Sequence, residues 1–221
     1  MNNKINKCPI VIGVNGGTAS GKTTFAEKIR DMLLSTGHKT VMISHDSFYR
    51  NLTKEQLDAV KYNNYNFDHP DAVDFSSMIK VLKELIIKGS EDTYVEIPIY
   101  DFNTHQRSSE VMRVKSGDSI IIEGLFIFSD PELRSLIYIK LFVDVDDDTR
   151  LARRIRRDIM SRGRDVTQVL NAYEKFVKPG YHFFIEPYKR YADIIVPYGG
   201  HNEIAVGMIS QYLRRLDPLS F

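Results

Sequence analysis

Apolar residues along this chain follow two spacings, one typical of buried strands and one typical of helices. Five short runs are apolar and rich in β-branched residues, at 10–14, 40–44, 119–123, 139–143 and 193–197. Between them, apolar positions recur every three or four residues and predict helices at 22–36, 75–88, 147–161 and 202–215. This alternation predicts an α/β fold, with a five-stranded parallel sheet flanked by helices. Because ligands of such sheets bind beyond the carboxyl ends of the strands, we expect the functional residues at that edge.

Residues 94–116 interrupt the alternation of strands and helices. Two stretches with a period of two, 94–100 and 110–114, are joined by a polar segment at 101–109 and predict an inserted β-hairpin. Pro98 cannot donate a ladder hydrogen bond, which indicates an edge strand. We expect the hairpin to project over the active edge, where Tyr100 and His105 lie near its turn. By residue type alone, His105 fits a solvated loop histidine better than a ligand contact.

The segment between the first strand and the first helix carries a phosphate-loop motif, which predicts nucleoside triphosphate binding. Glycines let the backbone curl so that N–H groups converge on an anion, and the helix N-terminus adds positive charge. Lys22 is expected at the β- and γ-phosphates, and the Thr23 hydroxyl at Mg²⁺. An ordinary glycine-rich turn is the alternative, which the complete motif disfavours. The predicted ATP-binding residues are Gly16, Gly17, Thr18, Ala19, Ser20, Gly21, Lys22, Thr23 and Thr24.

Two acidic residues stand at the carboxyl ends of predicted strands. Asp46 follows the second strand, where a carboxylate can accept a proton from a hydroxyl or hold water on Mg²⁺. An aspartate that caps the next turn explains Asp46 equally well. Glu123 ends the third strand and resembles the acidic strand end that partners a phosphate loop. The predicted Mg²⁺ residues are therefore Thr23, Asp46 and Glu123.

Arginines are concentrated in and after the helix that follows the fourth strand. Several guanidinium groups on one helix face can bind phosphate and stabilise charge on a transferred phosphoryl group. We therefore predict a closing lid at about 150–168. The alternative is a solvated helix whose arginines pair with Asp146, Asp147, Asp148 and Asp158, and it accounts well for Arg156. The arginines are Arg150, Arg153, Arg154, Arg156, Arg157, Arg162 and Arg164.

Composition narrows the classes of function. The formal net charge of +1 gives no case for a nucleic-acid or membrane-surface partner. The single cysteine, Cys8, excludes a disulfide or a cysteine metal cage within one chain. No apolar run has the length of a membrane span, and residues 1–7 lack the apolar core of a signal peptide. We expect one domain spanning 1–221 in a cytoplasmic enzyme.

From 10 to 209, the chain closely resembles the uridine–cytidine kinases, which are pyrimidine ribonucleoside kinases of the phosphate-loop class. Many phosphate-loop proteins share the first of its motifs, whereas the others, in this order, are specific. They are Gly-Gly-Thr-Ala-Ser-Gly-Lys from Gly16, Asp-Ser-Phe-Tyr-Arg from Asp46, Asn-Phe-Asp-His-Pro-Asp-Ala from Asn66, Pro-Ile-Tyr-Asp-Phe from Pro98, Glu-Gly from Glu123 and Arg-Asp-Ile-Met-Ser-Arg-Gly-Arg-Asp from Arg157.

The resemblance implies phosphorylation of the 5′-hydroxyl of uridine or cytidine by ATP or GTP with Mg²⁺, in pyrimidine salvage. It implies that Asp46 is the general base, assisted by Lys22, Arg157 and Arg162 near the phosphates. It also implies a homo-oligomer, commonly a tetramer. By the same resemblance His105 belongs to the nucleoside pocket, whose residues are Phe67, Asp68, Tyr100, His105, Arg154 and Arg164.

Two positions depart from the family's pattern. Ala172 replaces a glutamine that is common in the helix after the lid, and His201-Asn202 replaces Asp-Asn after the last strand. Two other readings of the chain stay open. One is a related kinase of another alcohol, such as phosphoribulokinase or pantothenate kinase; the other is a nucleotide-binding regulator without turnover.

Overall fold

The computed structural model describes residues 8–88 and 94–216, which contain one parallel sheet, one hairpin and the helices that cover them. The strands are β1 (Ile10–Gly16), β2 (Thr40–Ser44), β3 (Tyr94–Asp101), β4 (Gln106–Lys115), β5 (Ser119–Gly124), β6 (Ile139–Asp144) and β7 (Ile194–Pro197). The helices are α1 (Lys22–Leu34), α2 (Lys54–Lys61), α3 (Phe75–Lys88), α4 (Pro131–Ser135), α5 (Asp147–Arg162), α6 (Val166–Ala172), α7 (Lys178–Phe184) and α8 (Glu203–Arg215).

The parallel sheet has the strand order β2-β5-β1-β6-β7. Its pairings are all parallel, with Val14 opposite Glu123 on one side and Leu141 on the other. The predicted α/β fold with five parallel strands is therefore confirmed. All four helices expected from periodicity are also present. Because all five strands run in the same direction, the carboxyl ends of β1, β2 and β5 lie together at one edge of the sheet.

The sheet is covered on both faces, which explains why its strands read as continuous apolar runs. One face carries Val11, Ile122 and Phe142 against α3 and the segment after β5. The other face packs against α1 and α8, with Ile12 and Val14 in the same core cluster. A polar residue introduced on either face of these strands would therefore be buried without a hydrogen-bond partner.

Four helices were not predicted: α2, α4, α6 and α7. Helices α2 and α4 are short, with eight and five residues, so their apolar periodicity spans about two turns or fewer. Helices α6 and α7 are joined by a π-helical segment, Tyr173–Val177, which interrupts the 3.6-residue spacing. Side-chain caps mark the starts of α2, α4 and α6 instead. Thr53 with Gln56, and Asp165 with Gln168, form capping boxes at α2 and α6. These signals are present in the sequence and would have indicated both helices.

The inserted hairpin of β3 and β4 is confirmed, with a shorter turn than predicted. The predicted connection at 101–109 was too long, because β4 already begins at Gln106. A register shift lies between Pro98 and Tyr100, as expected where proline cannot join the ladder. Arg107 anchors the hairpin by donating hydrogen bonds to the carbonyl oxygens of Phe48 and Tyr49. These contacts hold the turn of the hairpin beside the segment that follows β2.

Among the residues described, no helix is long and apolar enough to cross a membrane.

Candidate active site

The phosphate-loop segment forms a tight turn between β1 and α1. Ala19 and Gly21 have positive φ values of 56° and 88°. A Cβ atom on Gly16 would lie 2.7 Å from the Val143 carbonyl oxygen, so the loop passes too close to β6 for another residue. A strained conformation at a residue other than glycine, here Ala19, is typical of ligand-binding loops.

Arginines of α5 hold this loop from the other side. Arg154 Nη1 donates to Thr18 Oγ1 at 3.0 Å, and Arg153 Nη1 donates to the Ser20 carbonyl at 3.3 Å. Arg150 is buried, stacks on the Tyr181 ring at 3.7 Å, and lies close to Gly17. The arginine-rich helix and the phosphate loop thus form one cationic surface, a contact that sequence spacing did not predict.

Glu123 and Thr23 lie side by side at the carboxyl edge of the sheet. Thr23 Oγ1 donates to Glu123 Oε2 at 3.2 Å, and Ser44 Oγ donates to Glu123 Oε1 at 2.6 Å. Burial raises the pKa of Glu123, an effect that the charge of Lys22 opposes. The predicted pairing of a strand-end acid with the phosphate-loop threonine is thus present in the fold.

Asp46 faces the cleft from a short 3₁₀ turn, His45–Phe48, directly after β2. The alternative explanation, that Asp46 caps this turn, is wrong: the Ser44 hydroxyl is the cap and accepts from the Asp46 amide at 3.3 Å. The Asp46 side chain is 42% exposed and lies 3.4 Å from His45 Nδ1. Shielding by the surrounding protein would raise the pKa of Asp46, but His45, Lys22 and Arg162 outweigh it and lower the pKa.

Thr23, Glu123 and Asp46 form an all-oxygen donor set of the kind that Mg²⁺ prefers. The described part of the chain contains no group of three or more His, Cys, Asp or Glu side chains that could hold a metal ion by themselves. Mg²⁺ is usually bound by one or two carboxylates and completed by water and substrate phosphates. These residues fit that mode and do not fit a metal cage made only of protein ligands.

A cavity opens between the phosphate loop, the hairpin turn and α5. It brings together every residue predicted for the nucleoside pocket, together with Lys22, Asp46, Arg157 and Arg162. Among the other predicted residues, only Thr18 lines it, while Glu123 and the rest of the loop lie outside its wall. Its lining residues are Thr18, Lys22, Asp46, Tyr49, Val60, Asn63, Tyr65, Phe67, Asp68, Tyr100, Phe102, His105, Leu125, Arg154, Arg157, Arg162, Arg164, Ala172 and Phe176.

One wall of the cavity is aromatic and carries two polar atoms without partners. The rings of Phe67 and His105 stack with centroids 4.8 Å apart. Tyr100 Oη and His105 Nδ1 are buried and have no hydrogen-bond partner among the described residues. Burial and the charge of Arg164 lower the pKa of His105, which keeps the imidazole neutral. Such a wall can accept a flat ring and hydrogen-bond to its edge.

Asp68 also lines the cavity, and burial raises its pKa against the opposing charges of Arg154 and Arg157. Helix α7 fixes its backbone. A Cβ atom on Gly180 would lie 2.4 Å from the Asp68 carbonyl oxygen and 3.2 Å from its Cβ atom. The position of the Asp68 carboxylate therefore depends on a glycine more than a hundred residues away.

Arginines of the predicted cluster both pair with a carboxylate and line the cavity. Arg154, Arg157, Arg162 and Arg164 line the cavity and also lie within 4 Å of Asp158, so pairing with a helix carboxylate does occur. Asp158 is completely buried, which the solvated-helix alternative did not anticipate. Arg156 is exposed, as that alternative expected.

Sequence reasoning missed several residues of the cavity. Tyr49 lies within the Asp-Ser-Phe-Tyr-Arg motif, and its ring contacts Phe67 and Tyr100. Val60 and Asn63 come from α2 and its end, which was not predicted.

Ala172, where the family commonly has glutamine, lines the cavity. His201 is exposed in the turn Gly199–His201, which packs against Ser20 and Thr24.

A model of the phosphoribulokinase / uridine kinase family matches residues 11–205. The chain is 50% identical to a chloroplastic uridine/cytidine kinase of Arabidopsis thaliana over 94% of this chain and 41% of that protein. It is 46% identical to the uridine kinase of Ligilactobacillus salivarius (strain UCC118) over 97% of this chain and 96% of that one. The chain thus spans about two fifths of the plant relative and nearly the whole bacterial one.

Among solved structures, phosphoribulokinase from Rhodobacter spheroides shares the fold at a TM-score of 0.62 and 19% identity, covering 87% of this chain and 70% of that one. With the family match over most of its length, the chain belongs to the phosphoribulokinase / uridine kinase family.

Proposed function

We propose that this protein transfers the γ-phosphoryl group of ATP or GTP to the 5′-hydroxyl of uridine or cytidine. The observation that carries the proposal is the cavity itself. Asp46 and Lys22 line it together with the aromatic wall of Phe67, Tyr100 and His105. The names of the relatives in Arabidopsis thaliana and Ligilactobacillus salivarius support pyrimidine ribonucleosides as acceptors.

In this mechanism Asp46 is the general base. Its lowered pKa keeps the carboxylate ionised at neutral pH, ready to accept the proton of the 5′-hydroxyl as the phosphoryl group is transferred. Lys22, Arg157 and Arg162 line the same cavity and stabilise the negative charge of the transferred group. The chain therefore acts mainly by positioning and electrostatics, as in other phosphoryl transferases.

The nucleoside is held by polar atoms that line the cavity. Asp68 accepts hydrogen bonds from the ribose hydroxyls, which favours ribose over deoxyribose because a missing hydroxyl leaves a buried acceptor unpaired. Tyr100 and His105, whose buried atoms lack partners in the described chain, hydrogen-bond to the polar edge of the pyrimidine. Phe67 packs against the ring. Arg154 and Arg164 complete this pocket.

Thr23 and Glu123 would hold Mg²⁺, with Asp46 acting directly or through water. When bound, Mg²⁺ would neutralise part of the negative charge of the phosphates. The hydrogen bonds from Thr23 and Ser44 orient the Glu123 carboxylate for this task.

We propose further that the protein is one domain with a lid at 150–168, that it is located in the cytoplasm, and that it is a homo-oligomer, expected to be a tetramer by light scattering.

The experiment that tests the function is ADP release from ATP and Mg²⁺, measured separately with uridine, cytidine, thymidine, adenosine, pantothenate and ribulose 5-phosphate. Release only with uridine and cytidine is expected. Release with pantothenate or ribulose 5-phosphate would assign a different acceptor. Nucleotide binding without release for any acceptor would indicate a regulator.

We expect the acid limb of the kcat/KM profile for uridine to follow Asp68 and to lie above the pH range of an ordinary aspartate. The kcat/KM profile reports groups of the free enzyme, and burial raises the Asp68 pKa whereas that of Asp46 is lowered. As pH falls, Asp68 is therefore protonated before Asp46, and its carboxylate no longer accepts both ribose hydroxyls. In Asp68→Asn, kcat/KM should be lower at pH 7 and its acid limb should move to lower pH. An unchanged limb would contradict this assignment.

Gly180→Ala is expected to raise the KM for uridine about tenfold, while the KM for ATP stays within about twofold, in line with the cost of a displaced contact residue. The new methyl group would collide with the Asp68 backbone and push its carboxylate from the ribose side of the cavity. Gly207→Ala, in α8, is the control, because a Cβ atom there has no neighbour within 4 Å. Equal acceptor KM values for the two variants would show that Gly180 does not position Asp68.

A further inference from the structure

Asp158 is the point at which the arginine-rich segment converges. It is completely buried in α5. Arg157 Nε donates to its Oδ1 atom at 2.9 Å. Nitrogen atoms of Arg154, Arg162 and Arg164 lie 3.6, 3.5 and 3.7 Å from its carboxylate oxygens. All four arginines line the candidate active site.

The backbone of Asp158 also shapes the segment. Its carbonyl oxygen accepts hydrogen bonds from the amides of Gly163 and Arg164, the latter at 3.1 Å. Gly163 has a φ of 62°, which ends α5 in the left-handed conformation that glycine favours. The chain therefore turns back at this point, so that Arg162 and Arg164 face the same carboxylate as Arg154 and Arg157.

One carboxylate among four guanidinium groups reduces their mutual repulsion and leaves the cluster positive. Without it, the arginines would spread into solvent, because like charges at these distances repel strongly in a partly buried site. Stabilising a transferred phosphoryl group requires donors that are already in place when negative charge develops. The Asp158 carboxylate meets this requirement while the remaining positive charge faces the cavity.

We propose that Asp158 is a positioning residue that holds Arg154, Arg157, Arg162 and Arg164 in the arrangement needed to stabilise phosphoryl transfer. The inference rests on the proposed kinase activity. A role in folding alone is the alternative explanation. Buried ion pairs add little net stability compared with well-packed apolar residues, so stability gives a weak reason for this charge.

The test is Asp158→Asn, which keeps the shape of the side chain and removes its charge. We expect kcat with uridine to fall about tenfold or more, a smaller effect than direct loss of a charge-stabilising group. The dissociation constant for ATP alone should stay within about threefold or tighten, because the variant has one negative charge fewer next to the cationic cluster. Damage to the fold would weaken ATP binding instead.

Asp148→Asn is the matched control. Asp148 lies on the same helix and is exposed, and its carboxylate accepts a hydrogen bond from the Thr149 amide. Its substitution changes the net charge by the same amount. Its kcat should stay within about twofold of the wild type, as for most exposed substitutions. Equal kcat values for Asp158→Asn and Asp148→Asn would overturn the proposal.

Asp158→Glu keeps the charge but displaces the carboxylate by one methylene group, so its kcat should lie between that of Asp158→Asn and that of the wild type. If Asp158→Asn does not fold, wild-type turnover in Asp158→Glu overturns the inference, and reduced kcat with retained ATP binding supports it. Failure of both variants to fold would assign Asp158 to folding. The wild-type chain is measured in the same assay. If it releases no ADP with any acceptor, the proposed function fails. If it is active and the variants do not behave as expected, only the role of Asp158 is wrong.

Discussion

Replacing Asp46 by asparagine is expected to lower kcat at least about a hundredfold, the lower range for loss of a general base. Asparagine has nearly the same shape but cannot take the proton of the attacking hydroxyl. The Ser44 hydroxyl, not the Asp46 side chain, caps the turn, so the turn should persist in the variant. Binding of ATP and uridine should remain within about threefold, measured by calorimetry, because the base contributes mainly in the transition state.

Asp71→Asn is the control for this change. Asp71 lies in the adjoining loop, and its side chain is 92% exposed. Its kcat should match that of the wild-type protein. Turnover near the wild-type level in Asp46→Asn would exclude Asp46 as the base. An equal loss of ATP binding and of kcat would point to a metal or structural role instead.

Replacing Lys22 by alanine is expected to lower kcat by about a hundredfold to a thousandfold, the range for loss of one preorganised charge-stabilising group. Lys22 lines the cavity, and its charge acts on three nearby carboxylates. It lowers the pKa of Asp46 and opposes the effect of burial on Asp68 and Glu123. The variant therefore loses a contact with the phosphates and also favours protonation of the base.

This double effect has a measurable signature. The acid limb of the kcat profile should move to higher pH in Lys22→Ala, because the Asp46 pKa rises when the nearby positive charge is removed. The dissociation constant for ATP should also increase. Lys83→Ala is the control, since Lys83 pairs with Glu132 on the outside of the fold. A kcat within about tenfold of the wild type would contradict the role of Lys22 in transfer.

Periodicity predicted the strands and helices whose own sequence shows a regular pattern of buried apolar residues. The five strands of the sheet are covered on both faces, so their apolar runs stand out. Helices α1, α3, α5 and α8 are long enough for a 3.6-residue period to repeat. Apolar spacing does not detect α2 and α4, which are short and begin at local caps. It also does not detect α6 and α7, because the π-helical segment between them interrupts the period.

The candidate site was likewise predicted where its residues form a local sequence pattern, and not where they come together from distant segments. The phosphate loop, the two strand-end acids and the cluster of arginines were predicted because each is a local pattern whose chemistry needs fixed residue types at a fixed spacing. The structure brings the members predicted for the nucleoside pocket into one cavity, although they come from the segment after α2, the hairpin, α5 and the turn that follows α5. Their individual roles remain predictions until the variants are measured.

By itself, the sequence determined the α/β fold, the inserted hairpin, the position of the nucleotide-binding loop and the identity of the acidic residues near it. Only the tertiary structure decided which of the polar residues pair with each other. Arg154 reaches Thr18 across 136 positions, and Thr23 reaches Glu123 across 100. Asp158 appears in the sequence as one more helix carboxylate, and its burial among four arginines follows from how α5 packs on the loop. Spacing along a chain encodes local geometry, whereas burial and charge pairing depend on the neighbours that folding supplies.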